Sequence, residues 1–228
     1  MKFRINKYLT LIGFVALLTT TCQTSYKVTD FNSSNSTIDN NLSTGDFSEF
    51  DLSSYKNQIQ NQMNEVISTC SIEMDVNSPE GLLGNFICDL TLFTTKTILK
   101  NEVDFCILNN GGFRTTLPKG EITVGKIFEI MPFDNQLVVL ELDSDQMIDL
   151  LNFIKKKSII SDSRKAGVPI SGMRISILGG DISRVFIGLK ELDSTKKYKV
   201  VTTNYLANGG DQMGFLTVSA RPGWYGLN

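Results

Sequence analysis

The order in which hydrophobic periods follow one another restricts this chain's architecture more than any other feature of its sequence. Helical spacing comes first. Tyr55, Ile59, Met63, Val66 and Cys70 recur three or four residues apart and predict an amphipathic helix. Ser78-Pro79-Glu80, a cap residue followed by proline, predicts the start of a second helix whose buried stripe runs Leu83, Ile87, Leu90, Thr94 and Ile98. Strands cluster late, at residues 172–178, 183–189 and 197–206, with Gly179-Gly180-Asp181 as a turn between the first two. Helices early and strands late argue for an α+β domain rather than a doubly wound parallel sheet.

Between these blocks, residues 103–108 ("VDFCIL") form a short apolar run, as expected of a strand buried on both faces. A short helix is predicted over residues 124–130 and is stopped by Pro132. "QLVVLEL" (136–142) reads as a strand, and Asp143 with Gln146 three residues on forms a capping box for a helix burying Met147, Leu150, Leu151 and Ile154. Residues 155–167 read as a polar loop.

The first residues stand apart from any fold. "MKFRINKYLTLIGFVALLTTTC" carries three cations, an apolar run and small residues before Cys22, the layout of a secretory signal. It resembles a lipoprotein signal, in which residues 1–21 are removed and Cys22 is lipidated, although the Thr triplet is a poor match to that pattern and plain secretion is the alternative. An exported product in a bacterial cell envelope is therefore expected, touching the membrane only through a lipid anchor. Residues 22–46, rich in Ser, Thr, Asn and Asp, have too little apolar surface to offset ordering and predict a flexible tether. The folded domain is expected over 47–228.

Composition removes several functions. The formal charge of −2 offers no basic excess for holding phosphates along a duplex, so no nucleic-acid partner is expected. With no histidine in 228 residues, Ser-His-Asp and Cys-His nucleophile systems are excluded, as is a His-rich dinuclear metal centre. Cys70, Cys88 and Cys106 lack metal-knuckle spacing. No catalytic residue, metal ligand or resident cofactor is assigned to the chain.

Two strand ends have the composition of a binding site. "ILNNGGFR" (107–114) runs from an apolar strand into Asn, Gly-Gly and a cation, and "NYLANGGDQM" (204–213) ends in an aromatic, Gly-Gly and an acid. Aromatic rings at loop ends can stack a planar base for about 1–3 kcal/mol. A carboxylate on a Gly-Gly turn can accept both hydroxyls of a cis-diol, and arginine suits two-point recognition of phosphate. Spacing alone favours Phe133 and Tyr205 as core aromatics and Asp211 as a turn cap.

"CILNNGGFRTTLPKGEITVGKIFEIMPFDNQLVVLEL", "VPISGMRISI", "YKVVTTNYLANGGDQM" and "LLGNFICDL" resemble four blocks of the C-terminal domain of 5′-nucleotidases and cover roughly residues 50–213. The resemblance implies a layered α/β/β/α domain that binds the nucleoside part of a nucleotide. It implies that divalent metals and catalytic groups belong to a separate metallophosphoesterase domain, expected here on a partner chain. Carried onto this sequence, it makes Phe133 and Tyr205 an aromatic clamp, Asp211 the ribose acceptor and Asn135 a contact to the base edge. Asn109 and Arg114 would approach the phosphate, with Gly111, Gly112, Gly209 and Gly210 shaping the two loops.

There are departures from the family's pattern. Tyr205 stands where the family usually has Phe, and Asn110 replaces the first of three glycines, a change a left-handed asparagine would tolerate. A second substrate-facing Arg, usual upstream of the first helix, is missing from "SIEMDVNSPEGLLGN", which predicts weakened phosphate recognition. After Asp211 only "QMGFLTVSARPGWYGLN" follows, so the domain is expected to be short at its end. Cys88 and Cys106 match two positions bridged in some members; a pair of buried free thiols is the alternative.

The function expected from the resemblance is the nucleotide- or nucleoside-binding half of a 5′-nucleotidase-type hydrolase acting in nucleotide catabolism. The alternatives are an autonomous, non-catalytic nucleoside-binding lipoprotein and a degenerate remnant that binds nothing.

Overall fold

The computed structural model describes residues 53–100, 103–159 and 166–217, together with Ser33 alone. The signal, Cys22, the tether apart from Ser33, and the residues after 217 lie outside the described residues. The chain divides into two units, Met1–Asp51 and Leu52–Asn228, and the architecture below is that of the second.

The centre is a four-stranded mixed sheet in the order Leu137–Leu142, Tyr198–Thr203, Phe105–Ile107, Ile170–Ser171. Its strands are β2 (Phe105–Ile107), β4 (Leu137–Leu142), β5 (Ile170–Ser171) and β9 (Tyr198–Thr203). β9 runs antiparallel to β4 and parallel to β2, with Val201 facing both Val139 and Cys106 across the ladders. Alternate residues enter two separate cores. Phe105, Ile107, Val138, Leu140 and Val200 pack against Met147, Leu150, Leu151 and Ile154 of α4 (Ser144–Ile159). Cys106, Leu108, Val139 and Val201 pack against Leu83, Cys88 and Leu92 of α2 (Leu82–Ile98). β2 is thus covered on both faces, as its apolar run predicts. Each fully buried side chain of this kind contributes about 1.5–3 kcal/mol.

Two smaller sheets flank this layered α+β core. β1 (Val66–Cys70) pairs antiparallel with β3 (Gly120–Thr123). β6 (Met173–Leu178), β7 (Asp181–Ile187) and β8 (Lys190–Glu191) form an antiparallel meander that adds Met173, Val185 and Ile187 to the α4-side core. β6 turns into β7 through Gly179 and Gly180, both at positive φ (60° and 88°), the backbone a tight two-residue hairpin demands. The predicted capping box forms at α4: Asp143 Oδ1 accepts the Gln146 N–H at 3.0 Å, and Gln146 Oε1 accepts the Asp143 N–H at 3.2 Å. No helix among the described residues is long and apolar enough to cross a membrane.

Several boundaries differ from the sequence expectation. The first helix, α1 (Ser53–Met63), ends before Val66, and the β-branched run Val66–Cys70 pairs as a strand with β3 instead. α2 begins at Leu82, not Pro79, because the Leu83 N–H is taken by the Asp75 carbonyl at 3.2 Å as the chain doubles back. Its buried face is also rotated, to Leu83, Gly84, Cys88, Leu92 and Thr95, leaving Leu90 and Ile98 about half exposed. This helix is apolar on most sides, so period alone does not choose the face. Close approach does: a Cβ on Gly84 would sit 3.0 Å from the Pro169 ring. α4 continues to Ile159 into the stretch expected as loop, where Lys156 and Lys157 favour the last turn of a helix.

Cys88 and Cys106 lie side by side in the α2-side core as free, buried thiols. Burial, and then the hydrogen bond and charge of Cys106, push the Cys88 thiol well above its usual range.

Candidate functional site

Both sequence-identified strand ends arrive at one cleft of about 270 Å³. It is lined by Asn109, Gly111, Gly112, Arg114, Phe133, Asn135, Tyr205 and Asp211, so all six candidate contact residues converge there. The two stretches are brought together because β2 and β9 are parallel neighbours, and their C-terminal ends emerge on the same side of the sheet.

From β2 the chain passes Asn109, in extended conformation, into a single 3₁₀ turn, Asn110–Gly112. Asn110 does not need the left-handed backbone that the sequence comparison suggested for it. It is absent from the positive-φ residues, is 4% exposed, and donates its amide to the carbonyls of Ala166 (2.6 Å) and Asn77 (3.3 Å). The side chain thus fastens the loop to two other segments. Gly111 and Gly112 also keep ordinary φ; a Cβ on either would meet the Asn109 side chain at 3.3 or 3.2 Å. Arg114 donates its backbone N–H to Ile130 at 2.9 Å, and its guanidinium lies 5.4 Å from the centroid of the Phe133 ring.

Phe133 follows α3 (Val124–Ile130), the short helix predicted over those residues, and stays half exposed. Tyr205 is also half exposed. It sits on a one-turn helix, α5 (Asn204–Ala207), and not on the strand expected to run to residue 206. β9 stops because the Thr203 hydroxyl accepts the Leu206 N–H at 3.3 Å and caps that turn.

Sequence reasoning missed two residues. Asn204 joins the two sides of the clamp: its Oδ1 accepts the Gln136 N–H at 3.2 Å and the Tyr205 N–H at 3.0 Å, and its own N–H donates to the Gln136 carbonyl at 2.8 Å. An asparagine at the end of a strand was the available signal. The other is Lys157, whose Nζ stands 3.7 Å from Asp211 Oδ1. Nothing local in sequence links positions 157 and 211.

After α5, Gly209 takes φ 88°, and a second 3₁₀ turn, Gly210–Gln212, holds Asp211 at φ 50°. The site therefore offers two aromatic faces, side-chain amides, one guanidinium and one carboxylate. These groups suit stacking on a ring, hydrogen bonding to hydroxyls and pairing with an anion. A larger cavity, of about 460 Å³, lies between α2, the end of α4 and β6. None of the candidate contact residues reaches it; Ser158 and Val168 are among its lining residues.

Fold and cleft together describe a layered α+β domain with a cleft at the C-terminal ends of β2 and β9. The family model described as "5′-nucleotidase, C-terminal domain" matches residues 58–218, and the chain belongs to that family. A 5′-nucleotidase of Vibrio vulnificus (strain CMCP6) is 30% identical over 123 residues, which are 54% of this chain and 21% of that protein. The trifunctional nucleotide phosphoesterase protein YfkN of Bacillus subtilis (strain 168) is 27% identical over 176 residues, 71% of this chain and 12% of that protein. The chain thus spans about a fifth or less of the length of these curated relatives. Among solved structures, a 5′-nucleotidase precursor from Thermus thermophilus superposes with a TM-score of 0.60 at 30% identity, covering 76% of this chain and 36% of that one. NAD nucleotidase from Haemophilus influenzae, with a TM-score of 0.55 at 18% identity over 73% of this chain and 33% of that one, shares the fold.

Proposed function

We propose that this chain is the nucleotide- or nucleoside-binding part of a 5′-nucleotidase-type phosphohydrolase, positioning substrate for a metallophosphoesterase unit supplied from outside these 228 residues. One observation carries the reading: Phe133, Tyr205, Asp211, Asn135, Asn109 and Arg114, far apart in sequence, line a single cleft. In this reading the base lies between the Phe133 and Tyr205 rings with Asn135 at its edge. Asp211 accepts the ribose hydroxyls, and Arg114 and Asn109 face the phosphate.

The cleft's donor set does not fit a dinuclear metal centre, because its lining residues bring a single carboxylate and the chain brings no imidazole. Hydrolysis accordingly belongs to the partner unit, and this chain contributes orientation. The layout around Cys22 supports placing the domain on the outer side of a bacterial membrane through a lipid anchor, and mass spectrometry of the N-terminal peptide tests that part.

Calorimetric titration of the chain with adenosine and AMP tests the binding. Both ligands should bind, and Tyr205→Ala should weaken both by about 1–3 kcal/mol, the loss of one stacked face. Arg114→Ala should weaken AMP selectively. Absence of binding by the folded wild-type chain would refute the reading. Phosphate release from AMP only after addition of a metallophosphoesterase chain would favour the split enzyme over an autonomous binding lipoprotein.

A further inference from the structure

Asp211 sits in the left-handed backbone region, uncommon for residues with a side chain though more accessible to Asp than to most. Asp211 (φ 50°) and Gln212 (φ 70°) follow Gly209 (φ 88°), so the turn places two non-glycine residues in the left-handed region. Such a conformation persists where surrounding contacts over-determine it. Two contacts reach this residue, one to its backbone and one to its side chain. The Asp211 backbone N–H donates to the Tyr205 hydroxyl at 3.2 Å, and the Lys157 ammonium stands 3.7 Å from Asp211 Oδ1.

Lys157 is itself well placed. Its side chain is only 14% exposed, and its ammonium lies 5.4 Å from the centroid of the Phe153 ring. Phe153 packs on Phe215 at 5.8 Å between centroids, just beyond the Asp211 turn. Lys157 also accepts the Gly167 N–H through its carbonyl at 3.0 Å. A cation held between a ring and one carboxylate has little freedom to leave. At 3.7 Å the contact is an ion pair beyond hydrogen-bond length, so it orients the carboxylate while leaving its lone pairs to accept from a ligand.

We infer that Lys157 is a positioning residue that sets Asp211 for recognition of a ribose cis-diol, so that preference for ribonucleosides over sugars lacking those hydroxyls depends on a helix outside the cleft. This rests on the nucleoside reading given above. It extends that reading to a residue absent from the cleft lining and to a sugar specificity.

The test is calorimetric titration of the full chain with adenosine and with 2′,3′-dideoxyadenosine, in wild type, Lys157→Met, Lys157→Arg, Asp211→Asn and the Lys157→Met/Asp211→Asn double variant. Wild type should prefer adenosine by about tenfold or more, the scale of hydrogen bonds to a charged acceptor. Lys157→Met should remove most of that preference, and Lys157→Arg should retain it. In the Asp211→Asn background, Lys157→Met should change the ratio by less than about twofold, because Lys157 acts only through that carboxylate. An unchanged ratio in Lys157→Met, with adenosine still bound, would overturn the assignment and leave the nucleoside reading standing. Failure of wild type to bind either compound would overturn both. A general loss of packing is distinguished by an equal fall in affinity for both compounds, which also counts against the assignment.

Discussion

The Tyr205 ring lies directly against the backbone of Gly210: a Cβ built on that glycine would stand 2.5 Å from Tyr205 Cζ and 2.6 Å from Cε1. Gly210 does not have a positive φ, so its glycine is required by this close approach and not by backbone conformation. The aromatic face and the turn that presents Asp211 are thereby built as one unit.

Gly210→Ala should accordingly push the ring out of place. Overpacking at such a contact costs about 1–3 kcal/mol. Chemical denaturation should show that loss, and adenosine affinity should fall with it. Wild-type stability and affinity in this variant would mean the ring is free to move aside.

Asn110 joins three segments in the loop that carries Arg114. Asn110→Ala would leave the Ala166 and Asn77 carbonyls without that donor, a cost of about 1–3 kcal/mol. Asn110→Gly, which restores the usual family residue, should be destabilised as well, because the lost contacts are those of the side chain. Urea unfolding of both variants decides this; a stable glycine variant would show that the amide contacts contribute little.

The Cys88 thiol, raised by burial and by Cys106, should stay protonated through mildly alkaline pH. Cys70 is only partly buried. Iodoacetamide at about pH 8, near the ordinary thiol range, followed by peptide mapping should therefore label Cys70 well before Cys88, with Cys88 reacting only after denaturation. Equal labelling in the native chain would contradict the buried placement. Resistance of Cys88 and Cys106 even after denaturation, relieved by a reductant, would mean that they are bridged.

Asp193 provides the pH dependence. Its carboxylate accepts the Thr195 hydroxyl at 2.6 Å and the Thr195 N–H at 3.0 Å, with Lys196 Nζ at 3.1 Å. These contacts, the Thr195 hydroxyl foremost, lower it to about 2 from an ordinary 3.8. For a carboxylate lowered by folding, the stabilisation is present above the unfolded value and is lost as pH falls through the folded one. Asp193→Asn should therefore lower stability at about pH 6, and the difference from wild type should shrink between about pH 4 and pH 2. Thermal melts across that range give the comparison; a constant difference would exclude Asp193 as the titrating group.

Much of this protein is written locally. The run at residues 103–108, the helix Val124–Ile130, the Asp143–Gln146 box and the Gly179–Gly180 hairpin each depend on residues close in sequence, and each forms where local chemistry predicts. Asn109, Arg114, Tyr205 and Asp211 were legible too, because Asn-Gly-Gly after an apolar strand and an aromatic before Gly-Gly-Asp are short patterns, whereas Phe133 and Asn135 came only from the family resemblance. What the sequence could not settle was the buried face of α2 and the choice of partners between distant segments. α2 is apolar on most sides, and its buried face was selected by tertiary packing, Gly84 close against Pro169 and Leu83, Cys88 and Leu92 against the sheet. Val66–Cys70 continued a helical period, yet its pairing with Gly120–Thr123 made it a strand. Asn204 bridging to Gln136, and Lys157 set beside Asp211, are contacts between segments 68 and 54 residues apart. Local periodicity records which residues are apolar and where a backbone must turn; the partner of a charge or an amide is fixed only when the sheet brings distant segments within a few ångströms.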